Sequence, residues 1–436
     1  MQLTFLLALV VAFSSLLSAK GRPIVAADVQ LACSALACAI FLALAWWTGQ
    51  LRRHLASDPS PLAESWLRRG EQWHGPGYLA FVLLTFGKFD FAEIAHSNWQ
   101  LGRTVWGDDG VIVLALTLPL LLAWLLDPWV VCGQNASVSS APFAKELARR
   151  ARHTLVLPLV PVLLITGIAD VERLFRPGGG ASMGTAMAML ALVAIACTLP
   201  WLLRYCWPTR PLEAGPARSV IEATLSEAGV SVRQILRWET HGRMANAAMS
   251  GFLPPLRYLF VSDELLRRMN AEDLRAITAH EAAHCRHGHL TRLGLSLFIP
   301  FAGLSLIEPL LSSAGWATEA KTPLVILTVL GVWAVVHGRW ARLLEHHADL
   351  AACRLLSGGS TIAPEAVATL GGALQTAGAS AGGDWLHPSP AARIALLQAL
   401  AGQPSAVAAF ERRLRTAFRV QSLLILGLLL SWIWCV

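Results

Sequence analysis

Apolar runs close to the thickness of a bilayer recur along this chain, and they restrict its fold more than any other feature. A helix needs about 20 predominantly apolar residues to cross the hydrocarbon. Leu3 to Ala19, Ile24 to Trp47, Tyr78 to Ala95, Val111 to Val131, Leu155 to Ala169 and Thr185 to Leu203 approach that length. Only 14% of the 436 residues are charged, against about 25% in soluble domains. The chain therefore reads as mainly α, a polytopic helical membrane protein set in a lipid bilayer. The first segment reads as a span, because no basic region precedes it and Leu17 with Ala19 makes a poor signal-peptide cleavage site.

The third run differs from the others in carrying Lys88, Asp90, Glu93 and His96. A charged group at a helix centre costs about 2.5–3.5 kcal/mol, whereas each Leu or Phe returns only about 0.3–0.6. This segment either lines a watery interior or leaves the membrane near Lys88.

Arginines set the expected orientation. The loops with Arg52, Arg53, Arg68 and Arg69, and with Lys145, Arg149, Arg150 and Arg152, are strongly basic, and alternate loops are less so. Six spans from a cytoplasmic N-terminus then put the segment after Trp207 in the cytoplasm. The net charge of +7 is accounted for by these loops, and no nucleic-acid partner is expected. The sequon Asn135-Ala136-Ser137 falls in a cytoplasmic loop, so no glycan is expected there. The eight cysteines form no C-x-x-C pair and read as small buried hydrophobes.

Residues 207–290 are soluble in composition. Ala217 to Ala228 reads as an amphipathic helix, Val230 to Thr240 and Arg257 to Val261 as strands, and Arg243 to Gly251 as a short extended segment. Asn270 and the acids Glu272 and Asp273 then open a helix. It carries His280-Glu281-Ala282-Ala283-His284. Residues four apart lie on one helical face, so two imidazoles can close on one zinc ion while Glu281 reaches a water on it. Two apolar stretches, Leu293 to Leu311 and Pro323 to His337, form an expected transmembrane hairpin over 291–340, with Glu308 turned inward. The expected divisions are a bundle of about six spans over 1–206, a first catalytic part over 207–290, that hairpin, a second catalytic part over 341–419, and a last span over 420–436. Arg412, Arg413, Arg415 and Arg419 precede that last span.

A third metal ligand has to come from elsewhere. Glu345 and Asp349 are four apart in a helical stretch, Ala341 to Leu356. Glu345 can complete a His₂Glu site, and Asp349 can accept the free N–H of a ligand histidine. On spacing alone His337, His346 and His347 compete with Glu345.

Four motifs in order resemble the membrane zinc metallopeptidases of family forty-eight, which include HtpX and the type I CAAX prenyl endopeptidases. They are Asn246-Ala247, the H-E-A-A-H-C-R-H-G-H run from His280, Arg342-x-x-Glu345-x-x-Ala348-Asp349, and His387-Pro388 with Arg393-Ile394. They cover roughly Met244 to Leu400. Ala341 stands where that family usually has Ser. The resemblance implies a small α+β zincin domain of the gluzincin type. It implies one zinc on His280, His284 and Glu345, Glu281 as general base, and Asp349 beside the ligands. It also implies His387 at the oxyanion, and Asn246, Ala247 and Arg393 at the substrate. Arg393 can alternatively serve an internal salt bridge, and His287 and His289 read as solvated or structural. The function so implied is endopeptidase hydrolysis of a polypeptide associated with or delivered to a membrane, most readily the bacterial inner membrane. Two other classes compete. A signal transducer of the antirepressor type is expected to carry a sensor domain after its last span, whereas this sequence stops at Val436. A scaffold that merely keeps the motif would hold no metal.

Overall fold

The computed structural model describes residues 2–17, 24–58, 60–127, 140–175, 181–240, 242, 244–296, 299–300, 303, 322–359, 361–377 and 383–435. The sequon, Glu308, Arg243, the loop 312–321 and most of the first arm of the expected hairpin lie outside them. The chain divides into two compact units, Met1–Ile195 with Tyr205–Trp207, and Ala196–Arg204 with Pro208–Val436.

In the first unit, α1 (Gln2–Leu17), α2 (Ala27–Ser57), α3 (Pro61–Val82) and α4 (Gly107–Leu126) pack around Phe5, Phe41, Tyr78, Phe86, Leu116 and Trp124. Two glycines set the close approaches. A Cβ on Gly49 would stand 2.4 Å from the Leu126 carbonyl oxygen, and one on Gly70 would stand 2.6 Å from Thr48 Cγ2. Small residues at such crossings let helix backbones come together in a membrane. The bundle continues with α5 (Ser140–Ala151), a wide turn over Arg152–Val156, α6 (Leu157–Phe175) and α7 (Ala181–Cys206).

Four helices among the described residues are long and apolar enough to cross a membrane: Ala27–Leu55, Gly107–Leu126, Phe143–Glu172 and Pro404–Ser431. In the first run the described helix, α1, has 16 residues. One of the expected spans comes out differently: the third run, Tyr78 to Ala95, is not one helix. After α3 the backbone widens over Leu83–Lys88, and Asp90 then takes a left-handed conformation at φ 48. Aspartate tolerates that region better than most residues, and the charges around it remove the apolar content that a continuous span needs. His96 beyond the break bonds Asp108 at 2.7 Å.

The second unit is built on a four-stranded sheet, order β1-β2-β4-β3. The strands are β1 (Thr209–Pro211), β2 (Gln234–Trp238), β3 (Ala247–Ser250) and β4 (Tyr258–Ser262). β2 runs parallel to β4, while β1 and β3 pair antiparallel to their neighbours. The chain leaves β2, lays β3 at the far edge, and returns to fill the middle with β4. All five residues of β4 are buried. β1 had no apolar alternation to reveal it. Helix α8 (Pro216–Glu227) links β1 to β2, and α9 (Asp263–Arg268) follows β4.

Next comes α10 (Ala271–Arg286), capped by the Asn270 side chain, which accepts from Asp273 N–H at 2.9 Å. Its apolar side joins Ile221, Leu259, Leu350 and Leu370 in one core. After α11 (His289–Ser296), the second apolar stretch and the helix expected after it prove to be one 35-residue helix, α12 (Thr322–Leu356). No proline or residue demanding special backbone geometry separates them, so the membrane-facing and domain-facing parts share one axis. Helices α13 (Pro364–Thr376), α14 (Pro390–Leu400) and α15 (Pro404–Cys435) complete the unit. The last of these likewise fuses the basic stretch with the final apolar run.

Polar groups pin the first bundle. Arg52 Nε donates to Asp127 Oδ2 at 3.2 Å and also pairs with Glu71, while Thr48 Oγ1 lies 3.0 Å from the same Asp127 oxygen and 2.9 Å from His74 Nε2. The Asp127 side chain is wholly buried. Removing it takes from the largely buried Arg52 guanidinium one of its two carboxylates and from Thr48 its charged partner, and breaking a buried pair costs up to about 3–5 kcal/mol. Asp127→Ala is expected to lower the thermal midpoint in detergent markedly, whereas Glu64→Ala, from an exposed pair, is expected to leave it unchanged.

Candidate metal centre

Helix α10 turns His280 and His284 the same way because they are four residues apart. The two Nε2 atoms lie 3.2 Å from each other. Helix α12 crosses α10 and presents Glu345, whose Oε2 is 3.5 Å from His280 Nε2 and whose Oε1 is 3.3 Å from His284 Nε2. Ligand atoms from all three lie within 4.8 Å of one another, and all three residues are buried. Among the competitors, His337 is engaged by Ser296 at 2.6 Å and His347 by His289 at 2.8 Å. His346 does not belong to the converging group.

These spacings fit zinc. Donors about 2.1 Å from a tetrahedral ion stand about 3.4 Å apart, and the three separations are 3.2, 3.5 and 3.3 Å. The donor chemistry fits as well, since neutral imidazoles and a carboxylate suit that ion. Charge is concentrated here. Burial and the Arg393 guanidinium oppose a proton on His280, but hydrogen bonds to Asp349 and Glu345 outweigh them and lift its pKa to about 9. Burial likewise opposes ionisation of Glu345, and hydrogen bonds from His280 and His284 override it, holding this carboxyl well below its ordinary range. An acid facing two imidazoles in this way calls for a shared positive charge, which a cation meets.

Behind the donors lies a second layer. Asp349, one turn after Glu345 on α12, has its Oδ1 3.0 Å from His280 Nδ1. Asp349 is fully buried and keeps its charge because Arg393 forks onto it, through Nε at 2.8 Å and Nη2 at 2.5 Å. Arg393 Nη2 also lies 3.2 Å from His280 Nδ1. The internal salt bridge that the sequence left open for Arg393 is present: its guanidinium is buried, paired with Asp349 and 3.6 Å from Glu345 Oε2. Helix α14 positions it, with Ser389 Oγ capping that helix through Ala392 N–H.

The site opens on a cleft of about 620 Å³ lined by Asn246, Ala247, Met249, Glu281, His387 and Arg393 among others. Glu281 Oε2 accepts from the backbone N–H of Met249 on edge strand β3 at 2.9 Å. His387 is half-exposed, and its Nδ1 lies 3.0 Å from Asp384 Oδ2. Asp384 accepts from the backbone N–H of both Leu386 and His387 at 2.7 Å. Sequence reasoning passed over Asp384, although an acid three residues before a loop histidine was the available signal. It also passed over the Met249 N–H, which side-chain identity cannot reveal. Of the histidines taken as solvated or structural, His289 is wholly buried. Burial and the neighbouring imidazole of His284 push its pKa down to about 2, so it stays neutral.

Fold and site together define the class: a polytopic helical membrane protein carrying a small α+β domain of gluzincin type, in which two histidines on one helix face a glutamate on another. Residues 211–401 match the model of peptidase family M48. Protease HtpX of Hahella chejuensis is 28% identical over 151 residues, 32% of this chain and 50% of that protein. The protease HtpX homolog of Aeropyrum pernix is 26% identical over 186 residues, 38% of this chain and 58% of that protein. The chain thus spans about half the length of the curated relatives it matches. The crystal structure of S. mikatae Ste24p superposes with a TM-score of 0.46 at 15% identity, over 87% of this chain and 100% of that one.

The Arg393–Asp349 pair makes a separable prediction. Arg393→Ala leaves a buried carboxylate without its counter-charge, at a typical cost of about 3–5 kcal/mol. Measured on protein stripped by chelator, it is expected to unfold at lower temperature than wild type. An equal midpoint would mean that Asp349 is not held charged by Arg393.

Proposed function

We propose that this protein is a zinc-dependent endopeptidase of the membrane, acting on polypeptides that are associated with the bilayer or delivered to it. The observation that carries the reading is the set of donor separations at His280, His284 and Glu345, which match the edges of a zinc tetrahedron. The match of residues 211–401 to peptidase family M48 supports the peptidase activity, and so do the names of the HtpX relatives. The alternation of basic loops supports a cytoplasmic face for the catalytic domain, as in a bacterial inner membrane.

His280, His284 and Glu345 would hold the metal beside the cleft. What zinc supplies when bound is Lewis acidity and a water of lowered pKa. Glu281 follows the first of these histidines on α10, reaches the cleft, and takes the proton from the attacking water. The Met249 N–H holds that carboxylate in position. Asp349 fixes the Nδ1 proton on His280, so that Nε2 carries the free lone pair. His387 rises from the loop before α14 and donates to the oxyanion, with its ring oriented by Asp384. Asn246 and Ala247 hold the substrate backbone along the edge of β3, where an extended peptide can add as a further strand.

Glu281→Gln keeps the shape and removes the base. It is expected to retain zinc while cleavage of a quenched-fluorescent peptide library falls at least about a hundredfold. Cleavage at the wild-type rate would refute the base assignment. Metal analysis is expected to find about one zinc per chain in wild type and little in Glu345→Ala. Absence of zinc from both would favour a non-catalytic scaffold.

A further inference from the structure

The two histidines of the metal centre are supported by unlike partners. For His280 the partner is the Asp349 carboxylate at 3.0 Å. For His284 it is another imidazole: His284 Nδ1 lies 3.2 Å from His289 Nδ1, and His289 Nε2 lies 2.8 Å from His347 Nδ1. His289 is fully buried, and His347 is 9% exposed. His289 opens α11, five residues beyond His284, and Gly288 makes the turn between them at φ 67. A residue with a Cβ is disfavoured in that left-handed conformation, so the glycine is what folds His289 back under the ring of His284. His347 comes from α12, two residues past Glu345.

From this chain of three rings we infer that His289 is a positioning residue for the metal. It accepts the Nδ1 proton of His284 and thereby fixes the tautomer that leaves Nε2 free for zinc. The inference rests on the zinc reading above. Its logic is that of ring tautomers. When His284 Nε2 is a ligand, the ring's one N–H sits on Nδ1 and must find an acceptor. His289 can supply a lone pair at Nδ1 only by carrying its own proton at Nε2, where His347 Nδ1 accepts it. The two hydrogen bonds therefore have one consistent direction, outward from the metal. Partners that orient a ligand histidine in this way commonly change metal affinity by about 10- to 100-fold when removed.

Two amides separate the bonds. In asparagine the Oδ1 atom occupies the place of the histidine Nδ1, and in glutamine the terminal amide reaches the place of Nε2 instead. His289→Asn keeps the acceptor for His284 and gives up the bond to His347, whereas His289→Gln does the reverse. Zinc affinity is measured on the full chain in detergent by competition with a fluorescent chelator, and the thermal midpoint of the chelator-stripped protein reports folding. The expected result is an affinity within about threefold of wild type for His289→Asn, and a loss of about 10- to 100-fold for His289→Gln and His289→Leu. Equal affinities for the Asn and Gln variants would overturn the role, whether both match wild type or both are weakened. If Gln or Leu fails to fold, the Asn variant decides: a tenfold loss in the folded protein overturns the role. Zinc binding that survives His280→Ala at wild-type affinity would overturn the metal centre itself, which separates failure of the broader reading from failure of this one.

Discussion

Two imidazole nitrogens and a carboxylate brought to little more than 3 Å of one another, away from water, need a positive charge between them. Everything around the centre serves that requirement. Glu345 and Asp349 are both buried acids on the same face of one helix, an arrangement that like-charge repulsion and desolvation oppose. Arg393 neutralises one of them by a two-pronged contact. Its Nη1 also stands 3.6 Å from Glu345 Oε2, so one guanidinium serves two carboxylates, and the remaining deficit of positive charge lies where Glu345 faces His280 and His284. The placement of a single arginine thus decides where a cation is wanted.

That placement depends on a crossing of elements far apart in the sequence. Helix α10 brings the histidines, α12 the acids and α14 the arginine, and the core that locks them together runs from Ile221 through Leu259 and Ile277 to Leu350 and Leu370. Strand β3 sits at the sheet edge beside this crossing, and its Met249 N–H meets Glu281. A sheet of only four strands suffices, because its task is to present one edge to the cleft and one buried strand, β4, to the core. The match to family M48 covers this domain, while the helices of the first unit lie before the matched residues. Their cohesion rests on other means, close backbone approaches at Gly49 and Gly70 and the charged network about Asp127.

Much of this could be read from the residues. Apolar runs and sparse charge announced the membrane helices, and the i, i+4 spacing of His280 and His284 on a capped helix announced a shared face. The competition among Glu345, His337, His346 and His347 could not be resolved by spacing. All four occur in one helical stretch, and only the angle at which that helix crosses α10 selects which side chain faces the histidines. The same limit hid the fusion of the second apolar stretch with the domain helix in α12. Hydropathy marks where the bilayer ends, but the backbone does not stop there.

The sequence by itself determined the helical, membrane-embedded character of this protein and the helix that carries its paired histidines. Both follow from local patterns: the length of apolar runs and the period of one helix. The tertiary structure alone decided that Arg393 belongs to Asp349, that Asp384 accompanies His387, and that His289 turns back to His284. Each of these pairs a charge or a ring proton with a partner fixed by a turn or a helix crossing. Such partners are selected by distance in space, to which separation along the chain is no guide.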